Sequence, residues 1–301
     1  MTGAARPAPV SVVIPTYNHA RFLGGAIDSV LAQTIAAAEI IVVDDGSTDR
    51  PEEVVIQYPA VRLIRQDNRG LAAARNTGWH AASNPFVTFL DADDLLRPNA
   101  LEVGLGQLER HPDAAFTYAA YANLYWPSGR TVPVAFRPVP EDGFAAILRV
   151  NPIGMHGTVL YRRTCLEAVG GFAEELAASE DYELYLRLAA RFLVACSPEV
   201  LADYRQHDSN MSRDQAFMLR AVLRVARRYQ AEARKRGLLT DYRDSLRNWK
   251  SWYVENWARD IGQDGISADA IRQGLFLLWQ APEAVTAKIA HGLSRRLRRG
   301  A

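Results

Sequence analysis

Apolar and polar positions follow two alternating periods along the first hundred residues. Residues 10–14 are a short β-branched run, the signature of a strand buried on both faces. Phe22, Ala26, Ile27, Val30 and Leu31 then fall at helical spacing behind Asn18, a residue suited to capping. A second strand is predicted over 39–43, running into Asp44-Asp45-Gly46-Ser47, and Pro51 suits the first turn of a short helix reaching Tyr58. A third strand over 61–65, a helix over 70–82 and a fourth strand over 86–90 follow. That strand ends at Asp91, and Arg97-Pro98 opens a helix to about Arg110. Beyond it, aromatic and β-branched residues at 114–136 surround Pro127-Ser128-Gly129, a hairpin pattern. A helix over 141–150, a strand over 158–161 and a helix over 180–191 capped by Ser179 come next. After His207 the period is helical throughout, over 213–236, 241–260, 267–279 and 283–299.

Repeated strand–helix units with short loops predict an α/β fold, a mostly parallel sheet covered by helices on both faces. Ligands of such sheets bind beyond the carboxyl ends of the strands. Three of those ends carry polar clusters here: Pro15-Thr16-Tyr17-Asn18, Asp44-Asp45-Gly46-Ser47 and Asp91-Ala92-Asp93-Asp94. Charge divides the chain as the periods do. Residues 1–210 hold 17 Lys or Arg against 25 Asp or Glu, whereas 211–301 hold 18 against 9. The acidic first part argues against nucleic acid as a partner and suits carboxylates gathered around a metal ion. The expected organisation is a flexible start at 1–9, a catalytic domain at 10–212 with halves 10–97 and 98–212, and a helical region at 213–301. Two cysteines, Cys165 and Cys196, share no metal-type spacing, so a reducing compartment is expected. Neither a signal-peptide pattern nor a transmembrane-length apolar run is visible, which predicts a cytoplasmic chain.

Two acids one residue apart at a strand end can present both carboxylates to one side, which is what magnesium or manganese shared with substrate phosphates requires. Asp91 and Asp93 have that spacing. A bare D-x-D triplet also occurs as a turn with capping aspartates, but the two other polar strand ends favour the metal reading. Asp45 could accept hydrogen bonds from a base or a ribose, and Tyr17 could stack on a base. Absences are informative too. The chain has no G-x-G-x-x-G after the first strand, no P-loop and no G-x-S-x-G elbow, which disfavours a dehydrogenase, a P-loop kinase and an α/β-hydrolase.

The runs Ser11-Val12-Val13-Ile14-Pro15-Thr16-Tyr17-Asn18 and Ile40-Ile41-Val42-Val43-Asp44-Asp45-Gly46-Ser47-Thr48-Asp49 resemble a family 2 glycosyltransferase of GT-A fold. The resemblance continues through Gly70-Leu71-Ala72-Ala73-Ala74-Arg75-Asn76, Phe89-Leu90-Asp91-Ala92-Asp93-Asp94, Gly170-Gly171-Phe172, Glu180-Asp181 and Tyr204-Arg205-x-His207. It implies that Tyr17 and Asp45 hold the nucleotide base against a wall shaped by Pro15 and Thr16. It places Arg75 near the nucleotide or its phosphates, with a helix-surface ion pair as the alternative. Asp91 and Ala92 would lie by the ribose, Asp93 would bind the metal, and Asp181 would be the catalytic base. His207 would complete the metal site or touch the diphosphate, or else cap the next helix; His156 falls among acceptor-side residues. The implied reaction is inverting transfer from a UDP- or dTDP-sugar, with Mg or Mn. The implied acceptor is a glycan or lipid-linked hydroxyl, in bacterial polysaccharide, lipopolysaccharide or other glycoconjugate synthesis.

Two other readings remain open at this stage. A sugar nucleotidyltransferase would need a basic, Gly-rich loop after the first strand, and residues 15–18 do not supply one. A non-catalytic nucleotide-sugar-binding protein would be favoured by loss of Asp93 or Asp181, and both are present. At the other end, Val285, Ile289, Leu293 and Leu297 recur every four residues among Lys288, Arg295, Arg296, Arg298 and Arg299. A basic amphipathic stretch of this kind, 283–301, predicts peripheral contact with an anionic membrane.

Overall fold

A computed structural model describes residues 7–140, 142–208, 210–286 and 288. The chain divides into two compact units, one of residues 1–147 and 151–207, the other of 148–150 and 208–301.

The first unit is built on one mixed sheet. Its parallel half comprises β1 (Ala8–Thr16), β2 (Ala37–Asp44), β3 (Val61–Arg65) and β4 (Phe86–Phe89). The other strands are β5 (Leu95–Leu96), β6 (Ala114–Tyr125), β7 (Arg130–Pro133), β8 (Leu160–Arg162) and β9 (Leu193–Gln206). The spatial order is β3-β2-β1-β4-β8-β6-β9-β5, with β7 paired to β6. Beyond β4 the direction changes, because β8 runs antiparallel to both β4 and β6 while β9 runs parallel to β6. The helices of this unit are α1 (Ala20–Leu31), α2 (Glu52–Val55), α3 (Leu71–Ala81), α4 (Ala100–Arg110), the first part of α5 (Gly143–Val150), α6 (Arg163–Val169) and α7 (Glu180–Ala189); residues 148–150 of α5 belong to the second unit.

Strand alternation explains how both sheet faces are covered. Val10, Val12 and Ile14 of β1 share a core with Leu23, Ala26 and Ile27 of α1 and Leu101, Leu105 and Leu108 of α4. Val13 points the other way, against α3, whose run of small residues lets the helix lie close. A Cβ at Gly78 would sit 2.2 Å from Val13 Cγ1, so this position admits no side chain. Most expected elements are present within a few residues. The β9 strand was not foreseen because Pro198 interrupts its pattern; the structure accommodates it with a register shift between Ala119↔Ser197 and Ala120↔Val200.

Two expected caps are corrected. Asn18 has φ +56° and its side chain accepts nothing from α1; its Oδ1 accepts instead from Thr48 N (2.8 Å) and Thr48 Oγ1 (3.1 Å). The start of α1 is satisfied instead by Asp49, whose Oδ2 accepts from Ala20 N at 2.8 Å. Ser179 precedes α7 with φ +60° and makes no side-chain cap.

In the second unit, α8 (Gln215–Arg228), α9 (Gln230–Lys235), α10 (Leu239–Asp264) and α11 (Ala268–Gln280) form a small bundle. Leu219, Val222, Leu223, Val254 and Leu277 are among its buried apolar side chains. Trp257 Nε1 donates to Ala270 O (2.8 Å), and Gln273 Oε1 accepts from Gln215 N (3.0 Å). The one helix expected over 213–236 is two, α8 and α9, joined at Tyr229. The basic stretch expected at 283–301 lies outside the described residues apart from 283–286 and Lys288. No described helix is long and apolar enough to cross a membrane.

Candidate active site

The parallel register brings the three polar strand ends to one edge. Thr16 pairs with Asp44, Val13 pairs with Phe89, and Asp91 follows two residues later. Cross-links between the following loops hold this edge together. Asn18 N donates to Ser47 Oγ (3.0 Å), and Ser47 N donates to Asp44 Oδ1 (2.8 Å).

Asp45 is 3% exposed and caged. Its Oδ1 accepts from Gln66 Nε2 (2.7 Å) and Arg69 N (2.9 Å), and its Oδ2 accepts from Gly70 N (2.8 Å). A carboxylate has about four lone-pair sites, so roughly one is left for a ligand. Tyr17 stands beside it 48% exposed, whereas Pro15 and Thr16 are buried beneath. The Thr16 hydroxyl has no hydrogen-bond partner among the described residues.

Arg75 is 2% exposed, so the helix-surface ion pair allowed by the sequence is replaced by an internal one. It donates to Glu180 Oε1 at 2.5 Å and to Asp91 Oδ1 at 2.7 Å, with its guanidinium 5.6 Å from the centre of the Phe172 ring. One side chain thus joins the end of β4 to the start of α7. Burial works against its charge, but Asp91, Glu180 and Asp181 outweigh burial and push its pKa up. Glu180, 4% exposed, is pushed up to about 7 by burial, with Arg75 pulling it back and Asp181 adding to the rise.

Asp181 is half-buried, and burial raises its pKa too, opposed by Arg75 and the Tyr182 amide. Tyr182 N donates to Asp181 Oδ1 at 2.6 Å, which fixes the carboxylate at the helix start. Of the adjacent acids, Glu180 is committed to Arg75 and Asp181 is the one with access. His156 sits inside an aromatic cage of Phe89, Tyr161, Phe172 and Tyr185. It is 5% exposed, and burial together with Arg75 keeps it neutral. It is therefore an interior imidazole near Arg75, with its Nε2 3.4 Å from the Tyr161 hydroxyl.

Past Asp91, Ala92 is buried and Asp93 lies with Oδ2 2.9 Å from His207 Nε2 and 3.7 Å from His19 Nδ1. Burial alone would raise the Asp93 pKa; the histidines outweigh it and lower it. Asp94 goes the opposite way, raised well above the carboxylate range by burial and by Asp93 and Asp91, while accepting from Arg205 N (2.9 Å). His19 was missed in the sequence; its only signal was a histidine just past a polar strand end. The Arg75–Glu180 pair was also missed.

The donor set at Asp93 suits a divalent ion. A carboxylate oxygen and the His207 imidazole converge, a mixture that Mn²⁺ accepts readily and Mg²⁺ less so. The described residues include no group of three or more His, Cys, Asp or Glu placed to hold a metal by themselves. An ion here would complete its shell with phosphate oxygens and water, the usual arrangement in phosphate-handling sites.

Comparison with known proteins identifies the fold and the family. The solved structure of Staphylococcus aureus TarS 1-349 in complex with UDP-GlcNAc superposes with a TM-score of 0.65 at 17% identity, covering 94% of this chain and 92% of that one. The mannosyltransferase PcManGT from Pyrobaculum calidifontis, in complex with GDP-Man and Mn²⁺, gives a TM-score of 0.61 at 21% identity over 92% and 84%. The fold is therefore GT-A, a curled mixed sheet flanked by helices, with C-terminal helices added. The sequence pattern of glycosyl transferase family 2 matches residues 11–170, more than half of the chain, and the chain belongs to that family. Among curated proteins, an uncharacterised glycosyltransferase of Nostoc is 46% identical over 98 residues, 31% of this chain and 30% of that protein. The chondroitin synthase of Escherichia coli is 29% identical over 189 residues, 60% of this chain and 26% of that protein. The matched stretch thus spans less than a third of either relative.

Proposed function

We propose that the protein is an inverting glycosyltransferase that moves a sugar from a nucleotide diphosphate donor to an acceptor hydroxyl. The observation carrying this reading is the buried Arg75, which ties Asp91 at the metal-side strand end to Glu180 and hence sets Asp181 beside it. In this reading Tyr17 stacks on the base, the remaining lone pair of Asp45 takes a base N–H, and Pro15 and Thr16 form the wall. Asp91 and Ala92 lie by the ribose. Arg75 orients Asp91 and Asp181 from below and does not touch the phosphates. Asp93 and His207 would hold Mn²⁺ or Mg²⁺, which supplies positive charge to the diphosphate.

Asp181 takes the proton from the acceptor hydroxyl. The hydroxyl oxygen bonds to the anomeric carbon as the bond from that carbon to the phosphate oxygen breaks. The electron pair leaves with the nucleoside diphosphate, and one displacement inverts the configuration. No second carboxylate nucleophile is needed. A UDP- or dTDP-sugar donor is the reading supported by the acidic base pocket and by the UDP-GlcNAc bound to TarS. A glycan or lipid-linked acceptor in polysaccharide or other glycoconjugate synthesis fits the synthase relatives.

Thermal shift with UDP, dTDP and their sugars, with and without Mn²⁺, tests the reading. Metal-dependent stabilisation by a nucleoside diphosphate is expected, and its absence across the panel overturns it. Asp181→Asn should lower turnover by about 10²–10⁴-fold while leaving UDP affinity unchanged. Retained turnover would remove Asp181 as the base.

A further inference from the structure

α11 bears apolar side chains on two opposite faces. One face is spent on the bundle: Gln273 and Leu277 are buried, and Gly274 lies so close to Trp257 that a Cβ would fall 2.4 Å from the ring. At about 100° per residue, Ile271, Leu275 and Leu278 form a stripe on the other face, with Trp279 on its flank. These four are 54%, 65%, 43% and 75% exposed. Single exposed apolar residues are ordinary, but four on one outward face of a 13-residue helix make a patch.

Charge indicates what covers it. From Glu283 onward the sequence contains Lys288, Arg295, Arg296, Arg298 and Arg299 and no further acid. Arg272, the one cation within α11, is paired with Asp214 and Asp269, so the helix itself stays close to neutral. Area argues against a second copy of the chain. A helix of this length is about 20 Å long and about 10 Å wide. Its face therefore offers on the order of 200 Å², against roughly 800 Å² that a stable dimer takes from each partner. An interfacial helix needs only an apolar stripe, an aromatic anchor and neighbouring cations.

We infer that the outward face of α11 lies in the headgroup boundary of an anionic lipid surface. This does not depend on the transferase reading. The test is co-sedimentation of the full chain with phosphatidylcholine vesicles, with and without phosphatidylglycerol. The wild type should pellet with the anionic vesicles and be released by salt. Leu275→Glu combined with Leu278→Glu, at outward positions that leave the bundle intact, should weaken binding by about tenfold or more. Circular dichroism and an unchanged thermal unfolding midpoint confirm that the variant is folded. Absence of wild-type binding, or equal binding by the variant, overturns the inference. So does a wild-type dimer that the variant turns into a monomer without any vesicle binding.

Discussion

The two sides of the candidate site stabilise their carboxylates by opposite means. Asp45 is held by two backbone amides and one glutamine from residues 66–70, all in a loop that follows the next strand. Asp91 and Glu180 are held by one guanidinium, and Arg75 and Glu180 are 105 residues apart. Neutral donors satisfy a charge without adding another, so the Asp45 carboxylate does not depend on any ionised partner. The acid cluster places three carboxylates around one buried cation, and removing that cation leaves charge with no water to solvate it. The nucleotide edge is therefore a rigid socket, and the acid cluster is an electrostatic assembly that can be broken at one point.

Arg75→Met tests this most severely. It should destabilise the fold by about 3–5 kcal/mol, read by urea denaturation. Adding Glu180→Gln to it should recover part of the loss, because the buried charge goes with it. Asp45→Asn swaps one acceptor oxygen for a donor and leaves one loop amide unsatisfied, which costs about 1–3 kcal/mol. Equal losses at the two positions would break the contrast.

A pH series separates the two sides further. Glu180 titrates at about 7 in the folded protein, against an ordinary value of 4.5. Between those values the folded state binds more protons than the unfolded one, so this group makes stability fall as pH rises from about 4.5 through 7. His156, lowered by burial, works the other way below pH 6.5, and it is present in wild type and variant alike. The stability of wild type relative to Glu180→Gln should therefore decline from pH 5 to pH 8, by on the order of a few kcal/mol. A difference that stays level across that range would place the Glu180 carboxyl at its ordinary value.

The sequence made one side of this contrast far more legible than the other. β1 to β4 and their polar ends follow from period and turn chemistry, because strand, loop and ligand-facing residue are adjacent in the chain. The Arg75–Glu180 pair has no local pattern: Arg75 looks like any helix arginine until β4 and α7 are folded against α3. Asn18 and Ser179 had the residue type of caps, yet in the left-handed region their side chains serve other ends or none. The sequence offered Asp93 as a candidate metal ligand, but the histidines beside it come from 74 residues before it and 114 after it in the chain. Proline in β9 hid the strand that delivers one of them, His207.

The smallest effect on the fold should come from Tyr17→Ala, and it gives the cleanest test of the socket. Tyr17 follows the buried Thr16 yet keeps 48% of its surface exposed at the strand end. A ring left in water contributes little to folding, so truncation should change stability by less than about 0.5 kcal/mol. Stacking on a base is worth about 1–3 kcal/mol, so UDP affinity should fall by roughly 5- to 150-fold in calorimetry. Asp45→Asn should move both quantities, because the same carboxylate ties the loop and, in the proposed reading, takes the base N–H. If Tyr17→Ala leaves UDP affinity untouched while Asp45→Asn lowers it, the base lies against the carboxylate wall without the ring. If Tyr17→Ala instead costs as much stability as Asp45→Asn, the ring belongs to the scaffold and the socket is narrower than drawn.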